Sequence, residues 1–483
     1  LILAGLALLA VLAVVLLLAY VAAAWIVGVV IAAVVVALGL LGAPADHPIV
    51  GAAVVIAQAQ RLTSEHVERA LRALGLAGIG PKATVTFPAP ISRDGPGWRA
   101  EVDLPYGVTA TDVIERRDRL ASGLRRPLGC CWPEPVHDQH AGRLVLWVGD
   151  QDMAKARQAP WPLRKARKAT VFEALPFGTD QRGRPVGMDL MYSNLLIGAL
   201  PGAGKTFALR VIVLGAAMDP TCELRIFELK GSGDLDPLEP ISHHYGSGVD
   251  DDTIGACVAS LREVYADLEV RAATIKRLAR AGRCPENKVT PQLAADRSLG
   301  LWPQLFVVDE CQELFSHEEF GKEAARLATA IIKRGRAFGL LLALATQRPD
   351  KDSLPKSISD NVGIRYCLRV VGQPANDMVL GTSMYQNGVR ATMLRPSDKG
   401  VGYLVGASDE PQIVKGYLVN GDDAKRVVQT ARLLREQAGT LTGGAVGEHQ
   451  VVIDVLADVL AVAAGEERLW SSVLLERLGQ LRP

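Results

Sequence analysis

"LLIGALPGAGKT", residues 195–206, gathers three glycines, a proline, a lysine and a threonine behind a short apolar run. Leu195, Leu196 and Ile197 read as the end of a buried parallel strand, because a strand covered on both faces needs no polar alternation. The following "FALRVIVLGAA" has the spacing of a buried helix. A strand, a glycine-rich loop and a helix whose first amides point back at the loop make a cradle for phosphate. The P-loop pattern G-x-x-x-x-G-K-[ST] is met at Gly204, Lys205 and Thr206. Its first-glycine position holds Ala199, and Gly198 lies one residue too early. The expected nucleotide-binding stretch is Ala199, Leu200, Pro201, Gly202, Ala203, Gly204, Lys205, Thr206 and Phe207. Lys205 is expected to reach the β/γ oxygens of ATP, and the Thr206 hydroxyl to ligate Mg²⁺. A dinucleotide fingerprint fits worse: its G-x-G-x-x-G order is absent and the lysine would have no task.

Two more apolar runs end in polar residues. "LFVVDECQELF" carries Leu305 to Val308 into Asp309 and Glu310, where ligands collect at the carboxyl ends of strands. Asp309 is expected to hold Mg²⁺ through water, and Glu310, pointing differently, to polarise the attacking water. The bland alternative is an acidic pair capping the next helix. "LLLALATQRPD" ends at Gln347, a candidate sensor of the γ-phosphate or of the attacking water. From 171 to about 420 such strands ("NLLIG", "ELRIFEL", "LFVVDE", "LLLALAT", "IRYCLRV") alternate with helical stretches, which predicts a mostly parallel sheet covered on both faces. The fold class expected is α/β, a RecA-like P-loop ATPase core.

The 483 residues allow two or three domains. With 53 Lys+Arg against 52 Asp+Glu, no global field draws the chain onto nucleic acid, so any such binding must be local. The seven cysteines show no metal-ligand spacing and read as reduced thiols. Residues 1–45 carry no charge, and the first 42 are almost wholly apolar, against roughly 20 needed for one membrane crossing. Two helices in a hairpin fit, turning near Tyr20 to Trp25; a signal peptide would have a shorter apolar core. Leu1 is not a methionine, so residues upstream are expected to be missing.

The remaining boundaries follow composition. A helical linker spans 46–82 with the amphipathic "TSEHVERALRALGLAGIG", capped by Thr63 or Ser64. A small α/β subdomain spans 83–156, with strands at "ATVTF", "WRAEVDL" and "RLVLWVG" and one helical face carrying Val113, Ile114, Leu120 and Leu124. A basic, proline-punctuated link covers 157–170, reading as a solvated connector. The motor spans 171–436, a glycine-rich linker 437–449, and a segment with two helical patterns 450–483.

The motif order resembles the FtsK/SpoIIIE family of membrane-anchored double-stranded DNA translocases over about residues 83 to 420. The residues carrying it are "LPFGTDQRGRPVGMDL", "FELKGSGDLDPL", "ADLEVRAATI", "VVDECQEL", "GRAFGLLLALATQRPD" and "SDNVGIRYCLRV". The resemblance implies a homo-oligomeric ring, a hexamer, with duplex DNA in its channel and ATP sites between subunits. It therefore implies an arginine finger reaching a neighbour's γ-phosphate: Arg365 first, Arg336 second. Glu228 and Lys230 match an acidic-x-Lys motif and are expected to support the site. Where the family places basic DNA-facing residues after the "RYCLRV" strand, this chain has "QPANDMVLG"; Arg390, Arg395 and Lys399 are the substitutes considered, against a solvated loop. "VLAVAAGEERLWSSVLLERLGQLRP" resembles the start of a winged-helix module in the TraB-like conjugative branch of mycelial actinobacteria. With the short anchor, this implies transfer of plasmid or integrative-element DNA, from the inner membrane with the motor on its cytoplasmic side. A chromosome-segregation pump, a type VII-like secretion ATPase and a nucleotide-binding scaffold without turnover are the rivals. The one Walker A and one Walker B disfavour the secretion ATPases, which carry several ATPase domains, and Glu310 disfavours the scaffold.

Overall fold

The computed structural model describes residues 61–446, apart from 81–82, 137, 166–167 and 351–352, together with a few isolated positions before 61. The expected membrane hairpin and the expected winged-helix segment lie outside the described residues. Among the described residues, no helix is long and apolar enough to cross a membrane.

Four strands form the small sheet: β1 (Ser92–Arg93), β2 (Gly97–Asp103), β3 (Cys131–Pro135) and β4 (Arg143–Gly149), in the order β1-β2-β4-β3. β4 shows how its two faces are used. Leu144, Leu146 and Val148 enter the subdomain's own core with Val67, Leu71 and Leu120, while Trp147 turns the other way and joins a core of the motor. Burying a side chain of this size contributes about 1.5–3 kcal/mol. The helix Ser64–Arg72 starts at Thr63, whose hydroxyl accepts from the His66 amide at 3.3 Å. Two expectations change here. "ATVTF" makes only an isolated bridge, Thr86 with Asp103. The helical face after residue 109 is split at Arg116 into Ala110–Glu115 and Arg117–Gly123. β3, which contains two prolines, escaped the sequence reading; it stands at the sheet's edge, where a missing amide is tolerated.

The large sheet contains ten strands: β5 (Leu175–Asp180), β6 (Pro185–Met188), β7 (Leu195–Gly198), β8 (Glu223–Glu228), β9 (His244–Ser247), β10 (Gln304–Asp309), β11 (Leu340–Thr346), β12 (Ile364–Cys367), β13 (Val401–Val405) and β14 (Gln412–Gly416). Their order is β6-β5-β14-β13-β12-β7-β11-β10-β8-β9. β12 through β9 run parallel, as expected, and β13, β14, β5 and β6 extend the sheet antiparallel. Leu195 and Ile197 face one core and Leu196 the opposite one, so the unbroken apolar run of β7 reflects two covered faces.

The basic link and the glycine-rich linker are not solvated throughout. Trp161 is buried in the motor core and its indole N–H donates to Pro176 O at 2.8 Å. Beyond the helix Gly421–Ala438, Gly444 N donates to His243 O at 2.9 Å, and Ala445 is buried. A Cβ on Gly443 would overlap His243 O, so the glycine permits this close docking.

Candidate functional site

Register places the strand ends side by side. Gly198 of β7 pairs with Thr346 of β11 and Cys367 of β12, while Asp309 of β10 pairs with Ala345 and Glu228. Parallel pairing thus brings residues over a hundred positions apart to one edge. β11, carrying Gln347 at its end, lies between the P-loop strand and the Asp309 strand.

The P-loop leaves β7 with Ala199 N donating to Thr346 O at 3.1 Å and Leu200 N to Arg369 O at 2.8 Å. Gly202 and Gly204 have φ of 76° and 107°, which side-chain-bearing residues rarely adopt. The departure at Ala199 has a physical account: its φ is not positive, so a methyl group is allowed there. Gly198 is a glycine for packing, since a Cβ would overlap Val379 Cγ2 of the helix Gly372–Leu380. The helix Lys205–Ala217 begins at Gly204 without a side-chain cap, so its first amides face the loop as an anion site. Thr206 is half-buried and Phe207 is exposed beneath the Arg210 guanidinium, 5.1 Å from the ring centroid.

Lys205, buried, lies between two carboxylates. It pairs with Asp309 Oδ1 and, at 2.8 Å, with Glu310 Oε1. Successive strand residues point to opposite faces, so two consecutive carboxylates should not meet one ammonium. Glu310 does so because its backbone is left-handed, φ 58° and ψ 50°, which turns its side chain back. Such a conformation costs about 1–3 kcal/mol and persists only where the surroundings impose it. Here Gln312 Nε2 donates to Glu310 Oε2 at 2.7 Å, Gln347 N donates to the same oxygen at 3.2 Å, and Gln347 Nε2 donates to Oε1. Gln312 Oε1 in turn accepts from the Thr346 hydroxyl at 2.8 Å. Burial pushes the Asp309 carboxyl up from its ordinary range, against the pull of Lys205. Thr206 Oγ1 stands 3.5 Å from Asp309 Oδ2. Two hard oxygen donors so close, beside uncapped helix amides, fit a magnesium-bound triphosphate.

Lys205, Thr206, Asp309, Glu310 and Gln347 are therefore brought together. Gln312 and Thr346 complete the cluster and were missed; the signal was an amide two residues beyond Glu310, within the next helical turn. Glu228, fully buried at the end of β8, accepts from Ser232 N at 2.9 Å and from its hydroxyl, fixing the following loop. Lys230 is exposed and 3.7 Å from Asp234.

The remaining arginines need correction. Arg365 is held within its own fold: its guanidinium donates to Ser359 O at 2.6 Å and to Val362 O and Val379 O at 3.2 Å, tying the helices Lys356–Ser359 and Gly372–Leu380 to the turn before β12. Arg336 is exposed just before β11, at the sheet edge opposite the P-loop. Arg395 is bound to Asp152 at 2.7 Å and Asp398 at 2.6 Å, and Arg390 to Glu115 at 2.6 Å. Both join the motor to the small subdomain, each already paired with acids of this chain. Lys399 is exposed.

This fold and this cluster define a P-loop ATPase. No model of a protein family matches the chain. The sequence is 23% identical to DNA translocase FtsK 2 of Ralstonia nicotianae over 429 residues, covering 81% of this chain and 50% of that protein. It is 27% identical to DNA translocase FtsK of Pseudomonas aeruginosa over 288 residues, 55% of this chain and 34% of that one. The chain thus spans half of the first relative and a third of the second. Among solved structures, the pCW3 conjugation coupling protein TcpA with ATPγS aligns over 76% of this chain and 99% of its own, at 16% identity and a TM-score of 0.47. The type VII secretion ATPase EccC of Thermomonospora curvata aligns over 57% of this chain and 33% of its own, at 22% identity and a TM-score of 0.42. The sequence matches bear out the resemblance to FtsK/SpoIIIE-type translocases.

Proposed function

We propose that the chain hydrolyses ATP and uses the energy to move double-stranded DNA. The observation carrying this is the meeting of Lys205, Asp309, Glu310 and Gln347 at one sheet edge beside the uncapped helix Lys205–Ala217. Loop amides and Lys205 hold the triphosphate, Lys205 exchanging its carboxylate partners for β/γ oxygens. Mg²⁺ held by Thr206 and Asp309 would offset charge on the phosphate oxygens. Glu310, freed from Lys205 and kept in place by Gln312 and Gln347, accepts hydrogen bonds from the attacking water and orients it. Gln347 ties that carboxylate to the loop that follows β11, so a change at the water is felt outside the site.

The cargo is argued from the two FtsK translocases that the sequence matches. Grip on the duplex is electrostatic and independent of sequence, and with a net charge of only +1 it comes from local basic groups. The finer reading keeps the uncharged residues 1–45 as a two-helix membrane anchor, a homo-hexameric ring on the cytoplasmic side of the inner membrane, and conjugative DNA transfer of the TraB-like kind. The test is ATP-dependent displacement of a triplex-forming strand from duplex DNA by the full chain. Displacement that needs ATP and is absent in Glu310→Gln is expected; vigorous ATP hydrolysis without displacement would overturn the DNA-pump reading.

A further inference from the structure

Away from the nucleotide edge, the small subdomain holds a cleft of about 540 Å³ lined by Arg69, Ala73, Arg119, Ser122, Gly123 and Arg125. Its floor is a close crossing of two helices. A Cβ on Gly123 would stand 2.9 Å from Ala70 Cα, so the glycine lets Arg117–Gly123 approach Ser64–Arg72. All three arginines are exposed, no carboxylate lines the cleft, and Ser122 adds an exposed hydroxyl. The neighbouring arginines differ: Arg72 is paired with Glu68 at 2.6 Å, and Arg116 donates to Leu74 O at 2.7 Å.

Helix ends explain part of this arrangement. Arg69 lies in the last turn of its helix and Arg125 just beyond the end of the other, where cations are favoured. Arg119 sits in the first turn of Arg117–Gly123, where a cation is disfavoured, and still faces the same cleft. Arg125 also occupies a left-handed position, φ 53°, that usually takes glycine. Three guanidinium groups around one concave site repel each other until an anion with several oxygens joins them, and phosphate suits their planar forks.

We propose that this cleft takes the headgroups of anionic phospholipids. The inference rests on the membrane-anchor part of the reading above, and on no other part of it. Sequence favours lipid over nucleic acid. Ser64 follows Ala45, the end of the uncharged N-terminal stretch, by 19 positions, a reach of at most about 65 Å, and Ser64–Arg72 is the first described element met after the apolar run. Arg69 lies on that element, and the fold brings Arg119 and Arg125 beside it, so a three-arginine cluster is tethered close to the apolar run, where an acidic leaflet attracts basic groups.

The experiment uses the full chain in nanodiscs. All seven native cysteines are buried, so Ser122→Cys offers a selective site for a fluorophore. Quenching by a headgroup-labelled quencher lipid is compared in phosphatidylcholine discs and in discs with about 30% phosphatidylglycerol. We expect at least about threefold more quenching with the anionic lipid, weakened by salt and lost in Arg69→Gln/Arg119→Gln/Arg125→Gln. Equal quenching in both discs, or an unchanged triple variant, overturns the proposal. So does a response to duplex DNA alone that the triple variant loses, which would make the cleft a nucleic-acid site. A chain that does not enter discs at all sinks the anchor reading and this inference with it. Duplex-stimulated ATP hydrolysis, followed in the same samples, is expected to survive the triple substitution; its absence in the unsubstituted chain would strike the pump and leave the cleft standing.

Discussion

The nucleotide edge and the seam between motor and small subdomain are both built from buried or half-buried charge, yet they are organised in opposite ways. At the seam each cation has its acid and little else happens: Arg395 holds Asp152 and Asp398, Arg390 holds Glu115, and Arg182 holds Asp94 and Glu134. At the nucleotide edge one lysine is shared by two carboxylates, a left-handed glutamate is held by two amide side chains, and helix amides stand uncapped. Buried charge alone therefore does not mark a site. What marks it is charge combined with backbone strain and with donors that lack a protein acceptor.

The largest effect expected from breaking this contrast is at the strained residue. Glu310→Gln keeps the shape and the bond to Gln312 but removes the base, so steady-state ATP hydrolysis should fall by about 10²–10⁴ while nucleotide still binds. Lys205→Ala should abolish binding itself, measured with a fluorescent nucleotide. The seam should respond in stability. Arg395→Ala leaves Asp152 and Asp398 without their cation, and a loss of about 2–3 kcal/mol is expected, below the full value for a buried pair because Arg395 is 30% exposed. A urea midpoint displaced less than one for a surface control would show the seam to be dispensable. It would also weaken the link from the small subdomain to the P-loop, which runs through Gly400 N donating to Ala203 O at 2.8 Å.

A smaller pair of substitutions sharpens the reading of the loop. Gly198→Ala forces a methyl group into Val379 and should cost about 1–3 kcal/mol, while Ala199→Gly, which restores the P-loop pattern, should cost less than about 1 kcal/mol and leave nucleotide affinity within about twofold. If the two behaved alike in thermal unfolding and nucleotide titration, the division of labour between packing glycine and loop alanine would be wrong.

Those two positions also show what was legible in the chain. Apolar runs ending in polar residues located five strands of the parallel half and the residues Lys205, Asp309, Glu310 and Gln347, because a strand covered on both faces and a ligand edge each impose a local signature. β3, β5, β6, β13 and β14 impose none: they are short, interrupted by proline or glycine, and lie at edges or in antiparallel pairs. Gln312 and the true setting of Arg365 depend on contacts between distant segments. Arg365 follows the same rule as the seam, a cation already satisfied within its own fold, and only the positions of Ser359, Val362 and Val379 reveal it. The docked link at Trp161 was hidden by basic neighbours whose charges suggested solvent.

The smallest effect expected concerns the linker seated on β9. Burial lowers the affinity of His243 and His244 for protons; Arg225 opposes their charging, and Glu223 and Glu263 favour it. A histidine whose folded pKa is depressed binds protons more readily when unfolded. Stability from this cluster is therefore present above the unfolded value near 6.5 and is lost as pH falls through the folded one. The His243 ring lies 2.9 Å from the Thr442 hydroxyl, and Gly444 N donates to His243 O, so charging the ring should loosen residues 440–446 before the sheet. Faster amide exchange at Gly444 on going from about pH 7.5 to about pH 5.5, after correction for intrinsic exchange, is the expected result, flattened in His243→Gln. An unchanged protection factor across that range would mean that the linker is held by Gly443 packing and Ala445 burial alone, and that the ring merely lies beneath it.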